Sequence, residues 1–474
     1  MNQKKKKKYP GKIAITIAFL ALMTGFAGCG MTSQKTGTGV SAGSTSMTSS
    51  SASAEDTSAG DDNANSSASN DTGNSSVSAD TVNSSSGEDA ASSSANDGAV
   101  NSDGTINTEN LFSDRDLEQA ADLSDAQKYT VSDGNDISIT EEGVYIISGS
   151  AEDVTITVDA SEGDKIQIVL NNVSITNTDS PAIYVKSADK VFVTTAENTE
   201  NTLKVTGTFA ADEETNTDAV IFSKDDLTLN GEGTLSISST ANAISSKDDL
   251  TVTGGTYKIS CSADAFEAHD SIAVNDGTFD LTCRNGLKAE DKDDDTVGWI
   301  CIEGGDFKIE AENDAIHGTT VTQIDGGTFD LDAVECIEST AIVINNGTVN
   351  ITSSDDGMNA SEKTSTYDVK VTINGGNITI QMGDGDTDGI DANGSIYVNG
   401  GTLNITANSP FDYDGEGQLN GGTVTVNGEE VTELTNQFAG GGGMPGGSGM
   451  MGNGGPSGDR GGQGGPGSSE SQNL

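Results

Sequence analysis

From Tyr129 to about Glu433 apolar residues recur at every second position in short runs, and the runs are punctuated by glycine. One anchor repeats eight times: an apolar residue, a polar residue that is often Asn, one or two Gly, usually Thr, and a second apolar residue. Val252-Thr-Gly-Gly-Thr-Tyr257, Ile324-Asp-Gly-Gly-Thr-Phe329 and Val398-Asn-Gly-Gly-Thr-Leu403 are examples. The residue before the second apolar one falls at 256, 278, 306, 328, 348, 377, 402 and 423, so the repeat is about 22 residues long with two longer members. Period-two alternation predicts strands with one inward face. Three short strands per repeat predict an all-β solenoid, a right-handed parallel β-helix whose coils stack about 4.8 Å apart. The extra residues of the long repeats, Asp291–Asp295 and Ser361–Thr366, are expected to bulge as loops from one corner.

The flanks read differently. Five lysines at 4–8, an apolar stretch from Ile13 to Met23 and Phe26-Ala27-Gly28-Cys29 form a lipoprotein-type signal peptide over 1–28. Cys29 is the expected lipidated residue, and export with a lipid anchor facing the cell surface follows, plain secretion being the alternative. Residues 29–128 are rich in Ser, Ala, Asn, Thr, Gly and Asp, with Lys35 the only basic residue between Met31 and Arg115. Such a stretch cannot offset its chain entropy and is expected to be a disordered tether, with a short amphipathic segment near Leu111–Leu123. Residues 434–474 are expected to form a Gly-rich disordered tail, since 16 of the 28 residues from Gly440 to Gly467 are glycine.

Charge narrows the function. With 74 Asp plus Glu against 23 Lys plus Arg the chain carries a formal −51, which repels phosphate backbones and attracts divalent cations. Nucleic acid is excluded as a partner. Only 4% of residues are aromatic, which suits a thin solenoid core better than one large globular core.

Gly143-Val-Tyr-Ile-Ile-Ser-Gly149 and Ile166-Gln-Ile-Val-Leu-Asn-Asn-Val-Ser-Ile175 look like less regular first coils. With Asp388-Gly-Ile-Asp-Ala-Asn-Gly394 and Ser409-Pro-Phe-Asp-Tyr-Asp-Gly415 they resemble the bacterial carbohydrate-binding-domain proteins typified by a clostridial surface β-helix that itself resembles polysaccharide lyases. The resemblance covers 129–433. It implies binding of cellulose and of acidic, pectin-like polysaccharide, with calcium in the coils.

Aligning the third strand of each repeat gives two polar columns. The first is Asp264, Asn285, Asp314, Glu335, Asp356 and Asp388; the second is Glu267, Lys288, His317, Glu338, Asn359 and Asp391. Carboxylates stacked at coil spacing repel by about 1 kcal/mol or more per pair unless cations or protons relieve them, and clustered hard oxygens suit Ca²⁺. Asp384-Gly-Asp-Thr-Asp-Gly-Ile-Asp391 begins like an EF-hand loop, but Ser395 stands where the closing Glu belongs, so that motif is rejected. A corner site of Asp384, Asp386, Asp388 and Asp391, joined by Asp355 and Asp356 of the preceding coil, remains, with a solvated acidic turn as the alternative. The Asn column 275, 345, 374, 399 and 420 is expected to be a structural amide ladder. Cys261 and Cys283 fall one coil apart, as a disulfide or as inward thiols, while Cys301 and Cys336 look like core positions. Tyr367, Tyr397 and Tyr413 are the candidate sugar-stacking residues, and Trp299 is expected to be packed. The favoured function is non-catalytic polysaccharide binding. A calcium-dependent lyase, with Lys288 as base and Asp264 and Asp314 as ligands, is the enzyme alternative. A surface adhesin or spacer, in which the β-helix is only a rod, is the structural one.

Overall fold

A computed structural model describes residues 100–212, 215–383 and 387–436. The signal peptide, Cys29, the tether up to residue 99, Asp384, Asp386 and the tail from residue 437 lie outside the described residues. From Gln127–Thr130 to Ser409–Tyr413 the chain winds as a parallel β-helix. One strand per coil joins a 12-stranded parallel sheet, and the other two form parallel stacks linked by the long strands Gly143–Glu152 and Lys165–Asn177. The antiparallel strand Glu429–Val431 closes the C-terminal end on Thr423–Val426.

The period-two pattern has the expected consequence. In Thr278–Cys283 burial alternates residue by residue, and Phe279 and Leu281 stand on Phe307 and Ile309 of the next coil. Like therefore stacks on like: the rings of Phe279, Phe307 and Phe329 lie nearly parallel, with centroids 4.3 and 4.7 Å apart. Glycine in the anchor is required where coils touch at the corner. Gly401 has φ +79°, and a Cβ there would come within 2.7 Å of the Gly376 carbonyl oxygen. Beside it runs the amide ladder, with Asn374 donating to Asn345 (2.7 Å), Asn399 to Asn374 (2.8 Å) and Asn420 to Asn399 (2.9 Å). Earlier coils substitute carboxylates, so Asn345 donates to Asp325 and Asn275 to Glu303.

Residues 100–119, which composition places in the tether, pack along one outer face of the solenoid. Ile106 exchanges two hydrogen bonds with the Gln323 side chain, and with Leu111 it buries Ala273, Trp299, Cys301, Val321 and Ala341. The segment ends in one helical turn, Asp114–Leu117, held by a Ser113/Asp116 capping box. Buried Asp116 pairs with Lys190 (2.9 Å) and accepts from Thr228 (2.8 Å). Of the expected amphipathic segment Leu111–Leu123 only the start packs as a face: Leu111 is buried, whereas Leu117 and Leu123 are exposed. Cys301 is thus buried beneath this strap, whereas Cys336 faces the solenoid interior. At the other end Leu434, assigned by composition to the tail, is buried against the last coil.

Candidate functional site

The two polar columns stand on the outer side of the 12-stranded sheet in the aligned register: Asp264 beside Asn285, Glu267 beside Lys288, His317 beside Glu338, Asp356 beside Asp388, and Asn359 beside Asp391. Phe266, Leu287, Ile316, Ile337, Met358 and Ile390 turn inward, so alternation places the second column outward; the first, three residues earlier, is brought beside it where His317 reaches Asp314.

The middle rungs form an ion network roofed by the two long-repeat insertions. Lys288 pairs at 2.6 Å with Glu290, which immediately precedes one insertion, and Lys363 of the other reaches Glu338 at 2.5 Å. His317 Nδ1 lies 2.8 Å from Asp314 and 2.7 Å from Glu338. Burial works against a charged imidazole, yet these two carboxylates outweigh it and raise its pKa to about 9. Burial likewise opposes the Glu338 charge, but His317 and Lys363 hold that carboxyl down at about 2. The Lys288 ammonium is raised too, with Glu290, Asp264 and Glu267 overcoming its desolvation.

The C-terminal rungs hold only acids and amides. Burial, then the charges of Asp391, Asp355, Glu335 and Asp388, pushes Asp356 up to about 7. Burial, then Asp412, Asp388 and Asp414, pushes Asp391 up to about 6. Asn359 donates to Glu335 at 3.0 Å, and its buried Oδ1 has no hydrogen-bond partner. Asp355 is exposed at the corner before this rung. An oxygen-rich, under-neutralised set of this kind is what a hard divalent cation requires.

The structure separates the three tyrosines. Tyr367 packs against the strap cluster, Tyr413 donates to the Leu434 carbonyl at 2.8 Å, and Tyr397 projects outward between Thr372 and Gln418. No ring contact among the described residues joins them. Trp299 lies under the strap rather than on a sugar platform. Among the described residues two groups bring three possible ligand atoms within 4.8 Å of one another, Asp314–His317–Glu338 and Asp226–Asp248–Asp249; the expected set Asp355, Asp356, Asp388 and Asp391 is not one of them. The second escaped the reading of the sequence, although Ser-Lys-Asp-Asp-Leu occurs at both 223–227 and 246–250 and stacks Asp226 on Asp249.

A protein of Acetivibrio thermocellus described as a carbohydrate-binding domain-containing protein is 37% identical over 123 residues, 25% of this chain and 43% of that protein. The chain therefore spans less than half the length of that relative. A solved polysaccharide lyase-like protein from C. thermocellum, a gadolinium derivative, is 22% identical, covering 64% of this chain and 94% of the other, with a TM-score of 0.29. The family model of carbohydrate-binding domain-containing proteins matches residues 133–387 and 332–437, which together span the solenoid, and the chain belongs to that family.

Proposed function

We propose that the chain is a non-catalytic polysaccharide-binding protein displayed at the cell surface through a lipid on Cys29, and that it takes cellulose or a pectin-like polymer with Ca²⁺ support. The observation that carries the calcium reading is the acidic end of the ladder, where burial and then neighbouring carboxylates push Asp356 and Asp391 up beside the orphaned Asn359 Oδ1. Asp356, Asp388, Asp391 and Asn359 would hold the calcium ion, with Asp355 from the corner before them; Asp384 and Asp386, the remaining ligands expected from the sequence, lie outside the described residues. The ion would supply positive charge between these carboxylates and those of an acidic polymer. The ladder residues themselves orient the polymer, since polar groups repeated at coil spacing match a repeating chain. A neutral glucan needs no bridging ion.

Support for a binding role without catalysis comes from the two basic side chains of the second column. Removing a proton α to a uronate carboxyl needs a base that is unprotonated at neutral pH. Lys288 and His317 are instead both held protonated by their partners.

Affinity electrophoresis of the full chain on pectate and on cellulose, with calcium and with chelator, tests the proposal. Retardation on pectate that chelator abolishes is expected, with Asp356→Asn and Asp391→Asn each weakening it about tenfold or more. No retardation on either polymer would refute it. Unsaturated product from polygalacturonate that disappears in Lys288→Ala would establish the lyase instead.

A further inference from the structure

Strands Thr256–Cys261 and Thr278–Cys283 run side by side in register from Thr256↔Thr278 to Ser260↔Thr282, and each ends on its cysteine. Cys261 and Cys283 are therefore the next rung. Strand spacing of about 4.8 Å lies inside the Cα separation of about 4.4–6.8 Å that a disulfide spans. Cys261 Sγ lies 3.4 Å from the Ala263 carbonyl. The following rung is Ala311, paired with Cys283. Its small side chain leaves a cavity of about 290 Å³ lined by both cysteines, Ala311 and the carboxylates Glu310, Glu312 and Asp332. Cys261 is half-buried and Cys283 is buried. In-register side chains on straight parallel strands suit the disulfide dihedral poorly, but this rung is the last of both strands, where the chain turns at Ser262 and Arg284. The remaining cysteines of the solenoid, Cys301 and Cys336, are fully buried, one under the strap and one in the core.

We propose that Cys261 and Cys283 close a disulfide in the oxidised protein, a staple between coils next to the ladder rungs Asp264–Asn285 and Glu267–Lys288. The chemistry is thiol–disulfide exchange with a small-molecule or protein disulfide that reaches the cavity. The Cys261 thiolate attacks one sulfur of that disulfide and expels the other as a thiolate. Cys283 then gives up its proton and attacks Cys261 Sγ, forming the S–S bond and releasing the second thiol. Two protons and two electrons pass to the oxidant, which ends as two thiols. Cys261 is three residues before Asp264, and Cys283 is two before Asn285. The staple therefore fixes the spacing of rungs whose side chains already bond, Asn285 donating to Asp264 at 2.6 Å. This inference does not depend on the polysaccharide reading.

Full-length protein is incubated with oxidised glutathione, denatured, alkylated with N-ethylmaleimide and digested with trypsin without reduction. Cleavage after Lys258 and Arg284 leaves both cysteines on the single peptide 259–284. The expected peptide is two hydrogens lighter than the dithiol and carries no maleimide, while Cys301 and Cys336 are alkylated. Oxidation should also raise the thermal midpoint of the parent protein and leave that of Cys261→Ser unchanged. Recovery of 259–284 with two maleimides would overturn the proposal. So would glutathione on Cys261 with maleimide on Cys283, or closure that leaves the thermal midpoint unmoved.

Discussion

His317 is the residue in which charge, burial and stability meet most directly. Its folded pKa of about 9 lies above the ordinary 6.5, so its contribution to stability is fully present below pH 6.5 and is lost as pH rises through about 9. Glu338 behaves oppositely: its folded value of about 2 lies below the ordinary 4.5, and its contribution is present above 4.5 and lost as pH falls through about 2. The network is therefore strongest between pH 4.5 and 6.5. His317→Gln leaves Asp314 and half of Glu338 without their cation and should cost about 3 kcal/mol at pH 6. Urea unfolding at pH 6 and at pH 10 checks this, with most of the difference from the parent gone at the higher pH. Asp356 carries the opposite sign among acids. A carboxyl raised from 3.8 to about 7 lowers stability as pH climbs through that interval. Asp356→Asn should therefore raise the thermal midpoint in chelator at pH 8 and reduce the rise produced by calcium. An unchanged response to calcium would remove Asp356 from the ion's ligands. The composition of both polar columns was legible in the sequence. Which rungs are neutralised was legible only in part: Glu290 stands two residues beyond Lys288, on the face alternation gives it, whereas Lys363 comes from an insertion whose landing place no alternation pattern encodes.

Among the elements, the strap has the clearest measurable consequence. Trp299 is the one tryptophan of the chain, and it is buried in the cluster that Ile106 and Leu111 cover. A charge placed at Ile106 cannot be paired there, so Ile106→Asp should lift the segment at a cost of about 2–4 kcal/mol, within the range for an unpaired buried charge. Tryptophan emission should shift to longer wavelength while the far-ultraviolet circular dichroism of the coils is retained. Emission that stays at short wavelength would mean that Trp299 is shielded by the solenoid alone. Asp116 anchors the far end of the same segment through Lys190 and Thr228, and Arg115 stacks on the Phe192 ring at 4.4 Å. The strap was hard to read in advance because its few apolar residues are diluted by polar ones. Its stability comes from a face 112 to 217 residues away in the chain, not from its own pattern. The strands were the reverse case, since alternation and the Gly-Gly anchor specify each of them locally.

At the scale of the molecule, the strap changes where the folded unit begins. Limited proteolysis of the full chain should leave a core whose N-terminus maps at or before residue 100, not near Tyr129. A fragment starting at 120–129 with native stability would show that the strap is dispensable. The solenoid's three outer faces then have distinct characters: one is covered by the strap, one carries the charged ladder under its two loops, and one is a flat polar surface on strands such as Asn377–Met382 and Thr402–Thr406. By itself the sequence determined the β-helix, the register of its ladders and the amide column, because a fold built from nearest-neighbour coils writes the same local rule into every repeat. Tertiary structure alone decided that residues 100–119 return to the solenoid, that Asp226 and Asp249 meet, and that Lys288 and His317 are held as protonated partners of carboxylates. Each of those outcomes depends on side chains from distant segments converging, and on how far the burial they create shifts the balance between charge and desolvation.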